Sequence, residues 1–177
     1  MTTRPISSRL VSFGIGIAIL VGATMAVNRV PVTVQGDLLK KYDSIDDVTT
    51  ALPSLPVYAP SYFPQDLRWP PSRVLAQGRP FPAVLMEFQG RKSGRPVLVI
   101  SQSAGGAFPP GDKVRLVKVK EKTAYPLKGR DARLEVGACG DGATCSRIAW
   151  TEGAYRIDVT GRSAPLDLIR VAESMIR

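Results

Sequence analysis

The chain has 177 residues, 44% hydrophobic and 22% charged, which is enough apolar material for one folded domain of ordinary size and argues against disorder. It carries 24 basic and 15 acidic residues, a net charge of +9 that makes a basic surface but not a polycation. Histidine is absent and cysteine occurs only at Cys139 and Cys145, which excludes Ser-His-Asp and Cys-His nucleophiles, imidazole metal ligation, four-cysteine metal sites and iron–sulfur clusters.

The first element is an uncharged run from Leu10 to Val27, bounded by Arg9 and by Asn28-Arg29. At about 1.5 Å per residue it spans roughly 27 Å, close to the thickness of a hydrocarbon core. It reads as a transmembrane helix over residues 10–28, after a cytoplasmic tail of residues 1–9. A cleaved signal peptide is the alternative, with Arg4 and Arg9 as its basic start and Val21-Gly22-Ala23 or Thr24-Met25-Ala26 as its cleavage site. Within the run Gly14, Ala18, Gly22 and Ala26 recur every four residues, a stripe along which another membrane helix can approach closely; frequent glycine and alanine in membrane helices is the plainer account. Arg4 and Arg9 before the run are offset by Arg29, Lys40 and Lys41 after it, so charge does not decide orientation. The cysteines and the larger C-terminal part place the domain on the extracytoplasmic, periplasmic side.

Residues 29–43 read as a linker, partly helical around Asp37 to Tyr42, and residues 44–177 as the extracytoplasmic domain. Ser44 with Asp47 three positions on predicts a capped short helix to about Leu52. Pro53, Pro56, Pro60, Pro64, Pro70 and Pro71 then predict an extended segment lying over a surface, since proline lacks a backbone donor. Tyr58, Tyr62, Phe63 and Trp69 among them either plug one end of the core or form an aromatic peptide groove. Strands are predicted at Val74–Ala76, at Ala83–Phe88 with Val84, Met86 and Phe88 on one face, and at Pro96–Ser101 after a Gly90–Gly94 turn. After a Ser103–Gly111 loop, Lys113–Lys122 is a strand whose apolar parity switches at Leu116-Val117, which predicts a β-bulge. Arg133–Val136, Arg147–Trp150 and Tyr155–Val159 complete the strands, the last two joined at Glu152-Gly153. A helix opened by Ser163 runs from Pro165 to Ile176, with Leu168, Ile169, Ala172 and Ile176 as its apolar face. The fold class is α+β: a curved antiparallel sheet with a short helix before it and a helix after it, both on one face.

The segments LPVYAPSYFPQDLRW, RIAWTEGAYRIDVTG and PLDLIRVAESMIR, in this order after a short helix, resemble an uncharacterised extracytoplasmic bacterial domain. That family follows a transmembrane helix in anti-sigma-factor and sporulation-type proteins, and is similar to the lipoprotein-carrier and sigma-regulator folds. The resemblance implies a curved half-barrel sheet. An anti-sigma factor also needs a folded cytoplasmic domain, which the residues before Leu10 do not supply, so a regulatory sensor ranks last among the readings.

Cys139 and Cys145 enclose a short loop between strands and read as a disulfide in an oxidising compartment; a redox-active pair is the alternative, without Cys-x-x-Cys spacing. Asp46, Asp47 and Glu152 are the nearest approach to a carboxylate site, but the first two suit a helix N-terminus and the third a turn. Lys113, Arg115, Lys118, Lys120 and Lys122 form the strongest charge cluster, with Lys128 and Arg130 beyond. They read either as a solvated sheet edge guarded by lysine or as a docking surface for anionic lipid or an acidic extracytoplasmic protein. Nucleic acid is not an expected partner, and no cofactor or metal is implied. The leading expectation is a non-enzymatic, single-pass accessory subunit of a larger complex, of the respiratory or photosynthetic kind, contacting integral-membrane subunits through its helix. The alternative is a binding module for lipid or lipoprotein, with a half-barrel lined by Val84, Met86, Phe88, Val97, Val99 and Trp150.

Overall fold

In a computed structural model the described residues are 39–105, 114–162 and 165–176. The apolar run with Gly14, Ala18, Gly22 and Ala26 lies outside them, as do Lys113 and Ser163. Among the described residues no helix is long and apolar enough to cross a membrane.

The described residues build β1 (Lys40–Tyr42), α1 (Ile45–Ala51), β2 (Arg73–Gln77), β3 (Ala83–Gln89), β4 (Pro96–Ser103), β5 (Leu116–Leu127), β6 (Arg130–Cys139), β7 (Thr144–Glu152), β8 (Tyr155–Gly161) and α2 (Pro165–Glu173). The strands form one antiparallel sheet in the order β1-β2-β3-β4-β8-β7-β6-β5. Its two meanders join where β4 pairs with β8, which leaves β1 and β5 as the edges. The expected α+β architecture is present. Lys40–Tyr42 is a strand rather than the helical turn expected in the linker, because its register on Val74–Ala76 supplies backbone partners that a helix so close to α1 would lack.

Alternation divides the sheet into two unlike faces. Val84, Met86 and Phe88 of β3, Leu98 and Ile100 of β4, Ile148 and Trp150 of β7, and Ile157 and Val159 of β8 share one buried face. Both helices cover it. Ser44 caps α1, its Oγ accepting from Asp47 N–H at 3.1 Å, and Val48 is the residue α1 buries. Leu168, Ile169 and Ala172 are buried as expected, with Val171 beside them; α2 ends at Glu173, short of the expected Ile176, and Met175 and Ile176 are buried just beyond it. Each such large side chain contributes about 1.5–3 kcal/mol on leaving water.

The proline-rich segment lies over the same face without regular structure. Gln102, fully buried on β4, holds it there: Nε2 donates to Pro56 O, and Oε1 accepts from Tyr58 N–H at 2.9 Å. Phe63 packs tilted against Phe88, with ring centroids 5.2 Å apart, while Tyr62 and Trp69 remain 38% and 52% exposed. The aromatics therefore close only part of the core's end.

The opposite face is mixed. Leu75, Ala83, Leu85 and Val99 pack there with Val114 and the two cysteines. Toward β8, β7 and β6 it turns polar, carrying Asp158 and Thr160, then Arg147, then Glu135.

Candidate functional site

β5 is the long open edge of the sheet. It runs for 12 residues, against 3 in β1, and pairs only with β6 among the described residues. Its other side therefore presents backbone donors and acceptors to whatever lies beside it. Every residue from Val117 to Ala124 is exposed, including Val117 at 58% and Val119 at 48%.

The parity switch at Leu116-Val117 is a bulge, as expected: Leu116 pairs with Cys139 and Lys118 with Ala138, leaving Val117 extra. A second bulge follows, with Val119 opposite Gly137 and Glu121 opposite Val136, leaving Lys120 extra. Gly137 makes this geometry possible, since a Cβ there would overlap the Lys118 carbonyl.

These bulges distribute the basic run. Lys122 lies opposite Glu135 and so on the polar face, whereas Lys118, opposite Ala138, lies on the other. Arg115 and Lys120 are exposed, and Lys113 is outside the described residues. Lys128 and Gly129 form the two-residue turn into β6 with φ of 45° and 79°, the paired positive values of a tight hairpin.

Across the polar face the register sets Arg73, Glu87, Val99, Thr160, Arg147, Glu135 and Lys122 in one lateral row. Opposite charges stand on neighbouring strands at both ends of it, with Arg73 3.5 Å from Glu87 and Arg147 3.7 Å from Glu135. Asp158 binds two arginines: one oxygen accepts from Arg147, with Nε at 2.8 Å, and the other accepts from Arg156 Nε at 3.0 Å. The carboxylate hydrogen bond raises the Arg156 pKa against the lowering effect of burial.

The next row is Ala124, Arg133, Ala149 and Asp158. The alanines leave room between longer neighbours, and an open concavity of about 570 Å³ results, lined by Lys122, Ala124, Asp131, Arg133, Thr151 and Arg156 among others. Arg133 has alanine on both neighbouring strands, and neither it nor Lys122 has an ion-pair partner among the described residues. Sequence reasoning missed this pair of cations, because register, and not spacing along the chain, brings Lys122 and Arg133 together.

The remaining expected residues sit elsewhere. Cys139 and Cys145 form a disulfide at a Cα separation of 5.2 Å, buried on the second face. In the loop they close, Asp141 pairs with Arg162, whose hydrogen bond draws the Asp141 carboxyl below its usual range. Glu152 receives Arg130 in a two-pronged pair, Nε at 3.0 Å and Nη2 at 2.9 Å, and Asp46 and Asp47 stand in the first turn of α1. The Arg130 hydrogen bond lowers the Glu152 pKa against the opposing effect of burial. These carboxylates are dispersed and do not meet in one site.

Of the residues expected to line a lipid-binding half-barrel, Val84, Met86, Phe88 and Trp150 belong to the main packed core, Val97 lies at its margin, and Val99 faces the other way. Comparison with known protein families, with curated proteins and with solved structures gives no match.

Proposed function

We propose that this chain is a non-catalytic, single-pass accessory subunit whose extracytoplasmic domain docks on a larger membrane complex, of the respiratory or photosynthetic kind, through the β5 edge. The observation that carries the reading is an open 12-residue edge strand, running beside a concavity that holds two cations without an ion-pair partner among the described residues. The occupant is an acidic, extended segment of a partner subunit. Its backbone pairs with the free side of β5, its apolar side chains cover Val117 and Val119, and its carboxylates meet Lys122 and Arg133. The uncharged run Leu10–Val27, with its small-residue stripe, supplies a second contact to partner helices.

The test is mild detergent extraction of the full chain from its native membrane, followed by size analysis and identification of what travels with it. Val117→Glu with Val119→Glu should release the chain by setting like charges against the acidic segment, without touching the core. Gly14→Leu with Gly22→Leu should weaken the assembly from the membrane side. A chain that runs alone, or a complex indifferent to both pairs of changes, refutes the reading. A lipid-loaded monomer would establish the binding-module alternative instead.

A further inference from the structure

At the other end of the architecture, two segments far apart in sequence are sewn into one surface. Residues 66–69 approach the β3–β4 turn: Arg68 N–H donates to Gln89 O at 2.8 Å and Arg91 N–H to Asp66 O at 2.6 Å. Arg91 Nε reaches Leu67 O at 2.9 Å, and Leu67 and Gly90 form a β-bridge. These bonds gather Arg68, Arg91, Lys92 and Arg95, all exposed, with Asp66 the one acidic residue in the two segments. Trp69 follows Arg68 directly, 52% exposed, held by Phe63 at 4.8 Å and stacked on Phe88 at 6.1 Å and 23°. Tyr62 is the nearest further exposed aromatic along the chain.

A half-exposed tryptophan buttressed from below, on a segment joined to one that carries three further cations, needs an explanation. Phe63 and Phe88 already close the core beneath it, so core packing does not require the outer face of the indole. The concavity beside β5 and the smaller one lined by Pro64, Asp66 and Leu67 both leave out Trp69 and the four cations. Tryptophan partitions to the headgroup level of a bilayer, and clustered lysine and arginine bind anionic headgroups.

The geometry points to this patch as a docking surface for an anionic lipid bilayer, with Trp69 seated among the headgroups and Arg68, Arg91, Lys92 and Arg95 on their phosphates. The inference rests on the membrane-anchored reading, which puts a bilayer within reach. It adds a lipid contact separate from β5. An acidic protein would satisfy the cations, but it would need a groove to enclose the indole, and a planar interface needs none.

The chain carries its own reporter. Trp69 and the 3%-exposed Trp150 are its two tryptophans, so quenching by acrylamide reads Trp69. The full chain is reconstituted in phosphatidylcholine nanodiscs and in nanodiscs rich in phosphatidylglycerol. Co-elution with the discs tests the anchor, and Trp69 quenching tests the patch. In the anionic discs quenching should fall about twofold or more with a blue-shifted emission, reversed at about 1 M salt where the screening length is roughly 3 Å. Lys92→Glu with Arg95→Glu should abolish the protection. Neither side chain makes a hydrogen bond or ion pair among the described residues, so the variant leaves the fold in place. Equal quenching in both discs, or protection that persists in the variant, overturns the inference. Protection confined to native membranes and missing from protein-free anionic discs gives the patch to a protein and overturns it too. If the chain does not co-elute, the anchor reading fails, and vesicles of the same two compositions added in solution still decide the patch.

Discussion

Reduction of the Cys139–Cys145 bond isolates one contribution to stability. The cysteines are separated by 6 in sequence, and closing so short a loop removes unfolded-chain entropy equivalent to about 2 kcal/mol at room temperature. The native hairpin should keep its shape without the bond. Cys139 N–H donates to Ala143 O at 2.7 Å and Gly142 N–H to Cys139 O at 2.9 Å, and the ladder continues through Gly137 and Cys145. The loss should therefore report the unfolded state, with little native rearrangement. For a domain of this size about 2 kcal/mol corresponds to a fall in Tm of roughly 8 °C. Thermal unfolding of the full chain in detergent, with and without reductant, measures it directly. The variant Cys139→Ala with Cys145→Ala should start near the reduced value, lowered a little further by the lost sulfurs in the buried cluster, and should not respond to reductant. Coincident oxidised and reduced melts would falsify the entropic account, as would a shift so large that the hairpin itself must have come apart.

Two further outcomes follow from β6 and its neighbours, one at each end of the strand. Gly137→Ala places a methyl on the Lys118 carbonyl and should cost about 2–4 kcal/mol, whereas Gly140→Ala meets only Val117 Cγ1 at 3.9 Å and should change the melt by less than about 0.5 kcal/mol; equal effects would remove the case for the second bulge. The lowered Glu152 pKa makes its pairing with Arg130 a source of pH dependence. The unfolded chain takes up the proton near the ordinary value of about 4.3, and the folded chain only at lower pH. That contribution is thus present above the ordinary value and disappears as pH falls through the folded one. Melts of wild type and Glu152→Gln should differ most at neutral pH and converge in acid, and a gap that stays constant with pH contradicts the assignment.

Where a residue's partner lies close along the chain, the sequence was informative. Ser44 and Asp47 form the expected cap, Leu116-Val117 marks a real bulge, and the spacing of Leu168, Ile169 and Ala172 names the buried side of α2. β1 escaped notice because Lys-Lys-Tyr has no strand pattern of its own and becomes a strand only by its register on β2. The second half of β5 and the start of β6 were missed for a related reason. Thr123, Ala124 and Pro126 are exposed and show no apolar alternation, and the Lys128-Gly129 turn that pairs them with β6 lacks the more familiar asparagine or aspartate. Least legible was the polar face. Arg147, Glu135 and Asp158 come from three strands, and only their register makes them neighbours. The same holds for Lys122 and Arg133, so a run of lysines was visible while the concavity beside it was not.

The two candidate surfaces are distinct because of how the sheet is ordered. Trp69 lies just before β2, and six inter-strand steps separate β2 from β5, up to about 29 Å measured across the sheet. That distance leaves room for a bilayer at one place and a partner at the other. Lysines and bulges on an edge ordinarily prevent pairing with a like strand, and β5 has both. Their position matters, however. Both bulges lie in the first half of β5, and from Glu121 to Leu127 the register on β6 is unbroken. Beside that regular stretch stand Lys122 and Arg133, which penalise a basic or neutral strand far more than an acidic one. Under the proposed docking the edge is guarded selectively: its repeated lysines oppose a second copy of itself, while a segment bearing carboxylates would complete the charge row that ends at Lys122.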